Sequence, residues 1–268
     1  MEAVDIPLLS KTVLWSTFAI TFALGMVMQK TGFCSMGAVS DVFIISNWNR
    51  LRQWFLAIGT AILGFTLLAH LGLIDSLKSI YTGNKFLWLS TVVGSILFGF
   101  VMVLASGCGS KTLVRIGGGN LKSVVVFMVL GLTAYMTLRG FLGVIRTNTL
   151  DLVFISFATP QDLPSLLAGP MGISRANLHL VLGIIFGCAF IAFALADKSF
   201  RNFENLFAGI FVGLAITAVW WVSGSLGYVA EDPNTLEEVF LATNSGRMES
   251  LSFVAPYAYS LDWLMMYS

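Results

Sequence analysis

Two thiols and the residues around them are where this chain could do chemistry. Cys34 closes the stretch GMVMQKTGFC (residues 25–34), and Cys108 closes GFVMVLASGC (residues 99–108). Each is flanked by glycine: Gly32 and Gly37 around Cys34, Gly107 and Gly109 around Cys108. Glycine lets a backbone turn tightly and lets a ligand approach the amides without a Cβ in the way. A short helix starting at or just after such a cysteine points unpaired N–H groups and a positive dipole end at the sulphur. That setting favours a bound anion and the thiolate form of the cysteine. Lys111 and Arg115 follow Cys108 by three and seven residues, a spacing that places them on one helical face with it.

The two settings are copies. At an offset of 74 residues Ser16 matches Ser90, Thr17 matches Thr91, Gly25 matches Gly99, Val27 matches Val101, Met28 matches Met102 and Cys34 matches Cys108. Repeated segments that bring the same break to one place are how many transporters build a site from related halves. The third cysteine, Cys188, sits in the uninterrupted apolar run LGIIFGCAFIAFALA and reads as packing filler. His70 and His179 are too scattered for a metal site, and Gly117–Gly119 follows no strand, so no cofactor is expected. No Walker-type ATP motif is present. Arg139 falls inside an apolar run, where it must face the protein interior, an aqueous cavity or the membrane interface.

What must position these thiols is a membrane protein. Hydrophobic residues make up 57% of the 268 and charged ones 11%, against about 25% charged in soluble domains. Apolar runs long enough to cross ~30 Å of hydrocarbon fall near 12–29, 53–74, 86–105, 123–145, 177–196 and 205–223. They lack strand alternation, so the expected class is all-α and polytopic: about six transmembrane helices plus short broken helices in pseudo-symmetric repeats. The acidic N-terminal stretch MEAVDIPLLSK is no basic signal region, so the first run is read as retained.

A net charge of +1 gives no overall field for nucleic acid. Links 30–52, 106–122 and 197–204 carry Lys30, Arg50, Arg52, Lys111, Arg115, Lys122, Lys198 and Arg201. The positive-inside rule makes them cytoplasmic, and anion attraction accounts equally for the two glycine-rich ones. Residues 1–157 form a first transmembrane repeat region, 158–176 a connector with Pro and Gly, and 177–268 the start of a second, truncated region. The tail 251–268 reads as the opening of a further span.

The stretches GFCSMGAVSDV (32–42), SGCGSKTLVRIGGGNLKS (106–123) and TNSGRMESLSFVAPYAYSLDWL (243–264) resemble the YeeE/YedE family of sulphur-transport membrane proteins. The resemblance implies an hourglass-shaped helical body that takes up thiosulfate or a related small inorganic sulphur anion. It implies that cysteines at short-helix ends relay the ion through thiol hydrogen bonds. Carried over by residue, Cys34 and Cys108 match the first two family cysteines. The third, glycine-flanked one of long family members has no counterpart before Ser268.

The favoured reading is therefore a non-enzymatic, multi-pass transporter in a bacterial inner membrane. Its partners are a small inorganic sulphur anion and the lipid bilayer, and its binding residues are Cys34, Cys108, Gly32, Gly37, Gly107, Gly109, Lys111 and Arg115. The alternative is a membrane thiol enzyme that passes persulfide sulphur from Cys34 or Cys108 to a cytoplasmic sulphur-carrier protein. A purely structural subunit fits less well, because the repeated glycine break weakens a helix without improving packing.

Overall fold

A computed structural model of the chain describes residues 5–232 and 236–266. The first four residues of the acidic N-terminal stretch, residues 233–235 and the last two of the tail lie outside them. The protein is an all-α polytopic membrane protein. Six helical segments are long and apolar enough to cross a membrane: Ile6–Ile45, Asn49–His70, Trp88–Gly117, Leu121–Leu138, Arg175–Leu195 and Phe203–Leu226. These fall on the six apolar runs of the sequence.

The helices form two compact units, each assembled from three separate stretches of chain. The first takes residues 1–33, 46–84 and 159–251. It contains α1 (Ile6–Thr31), α3 (Asn49–His70), α8 (Leu163–Met171), α9 (Arg175–Leu195) and α10 (Phe203–Trp221), the last prolonged by a π turn at Val222–Leu226. Helix starts follow local chemistry: the Asp5 carboxylate accepts from Leu8 N–H at 3.2 Å, and Ser174 Oγ accepts from Asn177 N–H at 3.4 Å. Gly32 ends α1 in the left-handed conformation (φ 63°), where a side chain would be strained.

α3 lies against both α9 and α10 because glycine lets it come close. A Cβ at Gly183 would stand 2.1 Å from Thr66 Oγ1, and one at Gly213 2.6 Å from Thr60 Cβ. In lipid, where apolar surface gains little by leaving the solvent, such small-residue contacts are what hold helices together. Leu24 and Met28 of α1 complete this core with Ala57, Ala208, Val212 and Ala215. At the far end of α9, Arg52 donates to the Phe193 and Ala194 carbonyls at 2.8 and 3.3 Å and caps the helix C-terminus. A hairpin of β3 (Tyr228–Val229) and β4 (Val239–Phe240) covers Ile74 and Met248.

The second unit takes residues 34–45, 85–158 and 252–268. It contains α2 (Ser35–Ile45), α4 (Trp88–Leu104), α5 (Gly109–Gly117), α6 (Leu121–Leu138), α7 (Phe141–Asn148) and α11 (Ala255–Met265). A two-residue ladder joins β1 (Lys85–Phe86) to β2 (Ile155–Ser156). α11 packs on α6, with Leu261 against Gly131 and Tyr257 edge-on to Phe127 at 4.9 Å. The fourth apolar run does not continue through Arg139. The chain breaks there, α6 ending at Leu138 and α7 starting at Phe141, so Arg139 caps a helix rather than lying within one. Gly140 makes the break, since a Cβ there would meet Met136 Cα at 2.9 Å.

Candidate functional site

Both repeated cysteines occupy the position just before a short helix, and the two helices start 74 residues apart. Cys34 precedes α2, and its carbonyl accepts from Ala38 N–H at 2.9 Å. Cys108 is the N-cap of α5, in extended backbone (φ −79°, ψ 171°). Its carbonyl accepts from Thr112 N–H at 3.1 Å. Each cysteine thus stands at the position an Asp or Ser takes at an ordinary helix start. The unpaired donors and dipole ends of two helices are brought to sulphur.

The second unit brings the two sulphurs into contact. Cys34 Sγ and Cys108 Sγ lie 3.3 Å apart, both buried and both free thiols. Ser110 Oγ is 3.0 Å from Cys108 Sγ. Ser35 Oγ lies 3.9 Å from Met102 Sδ. Soft sulphur atoms and small hydroxyls therefore share one spot at two helix N-termini.

The remaining sequence candidates fall into place unevenly. Gly37 and Gly109 are both buried in the first turns of α2 and α5. Gly107 lies under the aliphatic stem of Lys111, whose Cβ would be 3.4 Å from an added Cβ. Gly32 belongs to the first unit, two residues ahead of Cys34, and shapes the end of α1. Lys111 and Arg115 lie four residues apart on α5, half-buried, and form no ion pair among the described residues. Cys188 is exposed on α9 in the first unit, outside this cluster.

One contributor was missed from the sequence. Tyr257 of α11 donates its hydroxyl to the Gly109 carbonyl at 2.7 Å, and a Cβ on Gly109 would lie 3.0 Å from Phe253 O and 3.2 Å from the Tyr257 ring. The first residue of α5 is thereby clamped from 148 positions downstream. Its signal was present, because Tyr257 lies inside the third family-like stretch, yet no local pattern says what a tyrosine there touches. Among the described residues no group of three or more His, Cys, Asp or Glu could hold a metal ion.

Comparison with known proteins bears on what such a cluster serves. The family model described as sulphur transport matches residues 30–268, which include every element of the thiol cluster. The chain belongs to this sulphur transport family. It is 34% identical over 114 residues to the thiosulfate transporter TsuA of Escherichia coli (strain K12), a match covering 42% of this chain and 31% of that protein. It is 26% identical over 127 residues to the thiosulfate transporter TsuA of Spirochaeta thermophila, covering 47% of this chain and 37% of that protein. The matched stretches span about a third of the length of these curated relatives.

Proposed function

We propose that this chain carries thiosulfate, or a closely related small inorganic sulphur anion, across a bacterial inner membrane by way of the Cys34–Cys108 thiols. The observation that carries the reading is the 3.3 Å approach of two free thiols at two helix N-termini, with the cations Lys111 and Arg115 on the second helix. Family membership and the printed activity of the two relatives support the substrate class.

The physical scheme uses this chain's own groups. Lys111 and Arg115 raise the local concentration of an anion, while the helix dipoles favour negative charge at the first turns. A thiol donates weakly and is polarizable, so it replaces part of the hydration shell of a sulphur-terminated anion without holding it tightly. Weak binding is what conduction requires, because each site must release what it takes. Glycine at 109 lets the Phe253 carbonyl and the Tyr257 ring close on the first turn of α5, and glycine at 107 lets the Lys111 stem fold over the turn before Cys108.

The thiol contact also suits the alternative of covalent sulphur relay to a cytoplasmic carrier, and turnover separates the two. The test is uptake of radiolabelled thiosulfate by cells that lack their own sulphate and thiosulfate uptake systems and express this chain. Uptake that persists weakly in Cys108→Ser supports hydrogen-bonded relay, since serine keeps a donor. Complete loss in Cys108→Ser, together with a trapped persulfide in the wild type, supports covalent relay. No thiosulfate-dependent uptake by a membrane-inserted protein overturns the transport reading for this chain.

A further inference from the structure

A cavity of about 660 Å³ lies within the first unit, and none of the thiol-cluster residues lines it. Its long walls are apolar. Ile58, Ile62 and Phe65 on α3 face Leu182, Phe186 and Phe190 on α9, with Trp220 of α10 closing one side. The repeat every three to four residues makes one continuous stripe on each helix. From His179 to Phe190 the stripe runs eleven residues, about 16 Å at 1.5 Å per residue. That is one leaflet of a ~30 Å hydrocarbon layer.

One end is polar. Arg175 donates to Asp162 Oδ2 at 3.0 Å, to Ser76 Oγ at 3.1 Å and to Ser165 Oγ at 2.7 Å. His179, Ser79 and Thr82 line the same end. The Arg175–Asp162 pair leaves the mouth with no net charge, yet Asp162 Oδ1 is buried with no hydrogen-bond partner. An orphaned carboxylate oxygen is an acceptor in want of a donor, and Tyr81 and Trp220, edge-on to each other at 6.1 Å, line the same cavity and supply aromatic groups that suit a cation. A small inorganic anion matches neither the apolar length nor the free acceptor.

We propose that this cavity is a binding site for one zwitterionic aminophospholipid. An acyl chain lies along the α3–α9 stripe, the ammonium donates to Asp162 Oδ1, and the phosphate sits beside Arg175 and His179. The inference goes beyond the transport reading and stands without it. A neutral mouth that offers both a cation and a free acceptor selects a headgroup carrying both signs over a purely anionic one.

The test is native mass spectrometry of the purified, delipidated chain titrated with dioleoyl phosphatidylethanolamine or dioleoyl phosphatidylglycerol. The wild type is expected to fill one ethanolamine-lipid site at about tenfold lower concentration than the glycerol lipid, the discrimination of one charge-assisted hydrogen bond. Leu182→Trp, which fills the cavity, should abolish that preference, and Ile58→Trp at the exposed edge should do the same if the first variant does not fold. Asp162→Asn keeps an acceptor for the Ser165 N–H at the start of α8 and should bring the two lipids to equal affinity. Equal retention of both lipids by the wild type, a preference for the glycerol lipid, or a preference that survives a filled cavity overturns the proposal.

Discussion

Gly32 and Ser106 adopt the same left-handed backbone, φ 63° and φ 55°, at the same 74-residue offset that relates the two cysteines. Each lies two residues before its thiol, so the repeat is one of conformation as well as of residue type. The turn that ends each long helix and aims the next at sulphur is carried by glycine in the first copy and by a strained serine in the second. A residue with a Cβ gives up about 1–2 kcal/mol in that region. Ser106→Gly should therefore raise the melting temperature of the purified protein, and Gly32→Val should lower it. Opposite shifts would mean that the two turns are not equivalent.

The thiols should be unequal in function. Cys108→Ala is expected to reduce thiosulfate uptake at least about tenfold, whereas Cys188→Ala, on the exposed face of α9, should leave it within about twofold. Lys111→Ala should raise the half-saturating concentration with a milder effect on maximal rate, because it removes attraction for the anion while leaving both thiols in place. Equal losses from Cys108→Ala and Cys188→Ala would sink the assignment of the site.

Tyr257→Phe removes one hydroxyl and leaves the ring against Phe127. The Gly109 carbonyl, which also accepts within α5, then loses its second donor, which costs about 0.5–1.5 kcal/mol for one hydrogen bond. Uptake should fall while membrane insertion is kept, and amide exchange at the start of α5 should quicken. Unaltered exchange there would show that α5 is held by other contacts.

The helix packing of the first unit makes a sharper steric demand. Gly213→Leu drives a side chain into Thr60 and the Ala57 carbonyl, 2.7 Å from the first added carbon, and should destabilise by about 1–3 kcal/mol or more. Gly94→Leu on α4 meets nothing within 4 Å and should be tolerated. Comparable melting of both variants would contradict the close approach of α3 and α10.

Acid should loosen the β3–β4 hairpin. Lys78 Nζ donates to Tyr228 Oη at 2.8 Å and to the Glu238 carboxylate, tying the hairpin to the 3₁₀ turn at Ser76–Lys78. The Lys78 hydrogen bond holds Glu238 below the usual carboxylate range, and Glu238 and then Tyr228 raise Lys78 above the usual amine range. The carboxylate's contribution is present above its unfolded pKa and is lost as pH falls through the lower folded value. The ammonium's is present below its unfolded pKa and is lost as pH rises through the higher folded value. Between about pH 5 and 10 both are in place. Protection factors at Val229 and Val239 should fall below about pH 4 in the wild type, with the fall reduced in Lys78→Met and by added salt.

Much of this architecture is legible in residue order. Spans announce themselves because lipid tolerates only long apolar helices, and α1, α3, α4, α6, α9 and α10 coincide with the six runs. The starts of α2 and α5 are legible because glycine-flanked cysteines interrupt an otherwise continuous helix. What stays hidden depends on contacts across long separations. Gly107, next to Cys108, advertises itself as the turn residue, yet the left-handed position falls on Ser106, where only the first copy carries glycine. Arg139 reads as a charge within a span until the Gly140–Met136 contact shows the helix ending there. Tyr257 and the cavity between α3 and α9 have no periodicity of their own to betray them.

The clamp of Tyr257 on Gly109 also has a meaning in time. A ribosome adds about 5–20 residues per second, so the 148 positions between these partners take roughly 7–30 s to make. For that interval α5 stands in the nascent chain with its first turn unlatched and Cys108 already synthesised. The thiol cluster is therefore latched only after residue 257 has been made, and any factor that shields or reduces young thiols has its opportunity before α11 emerges.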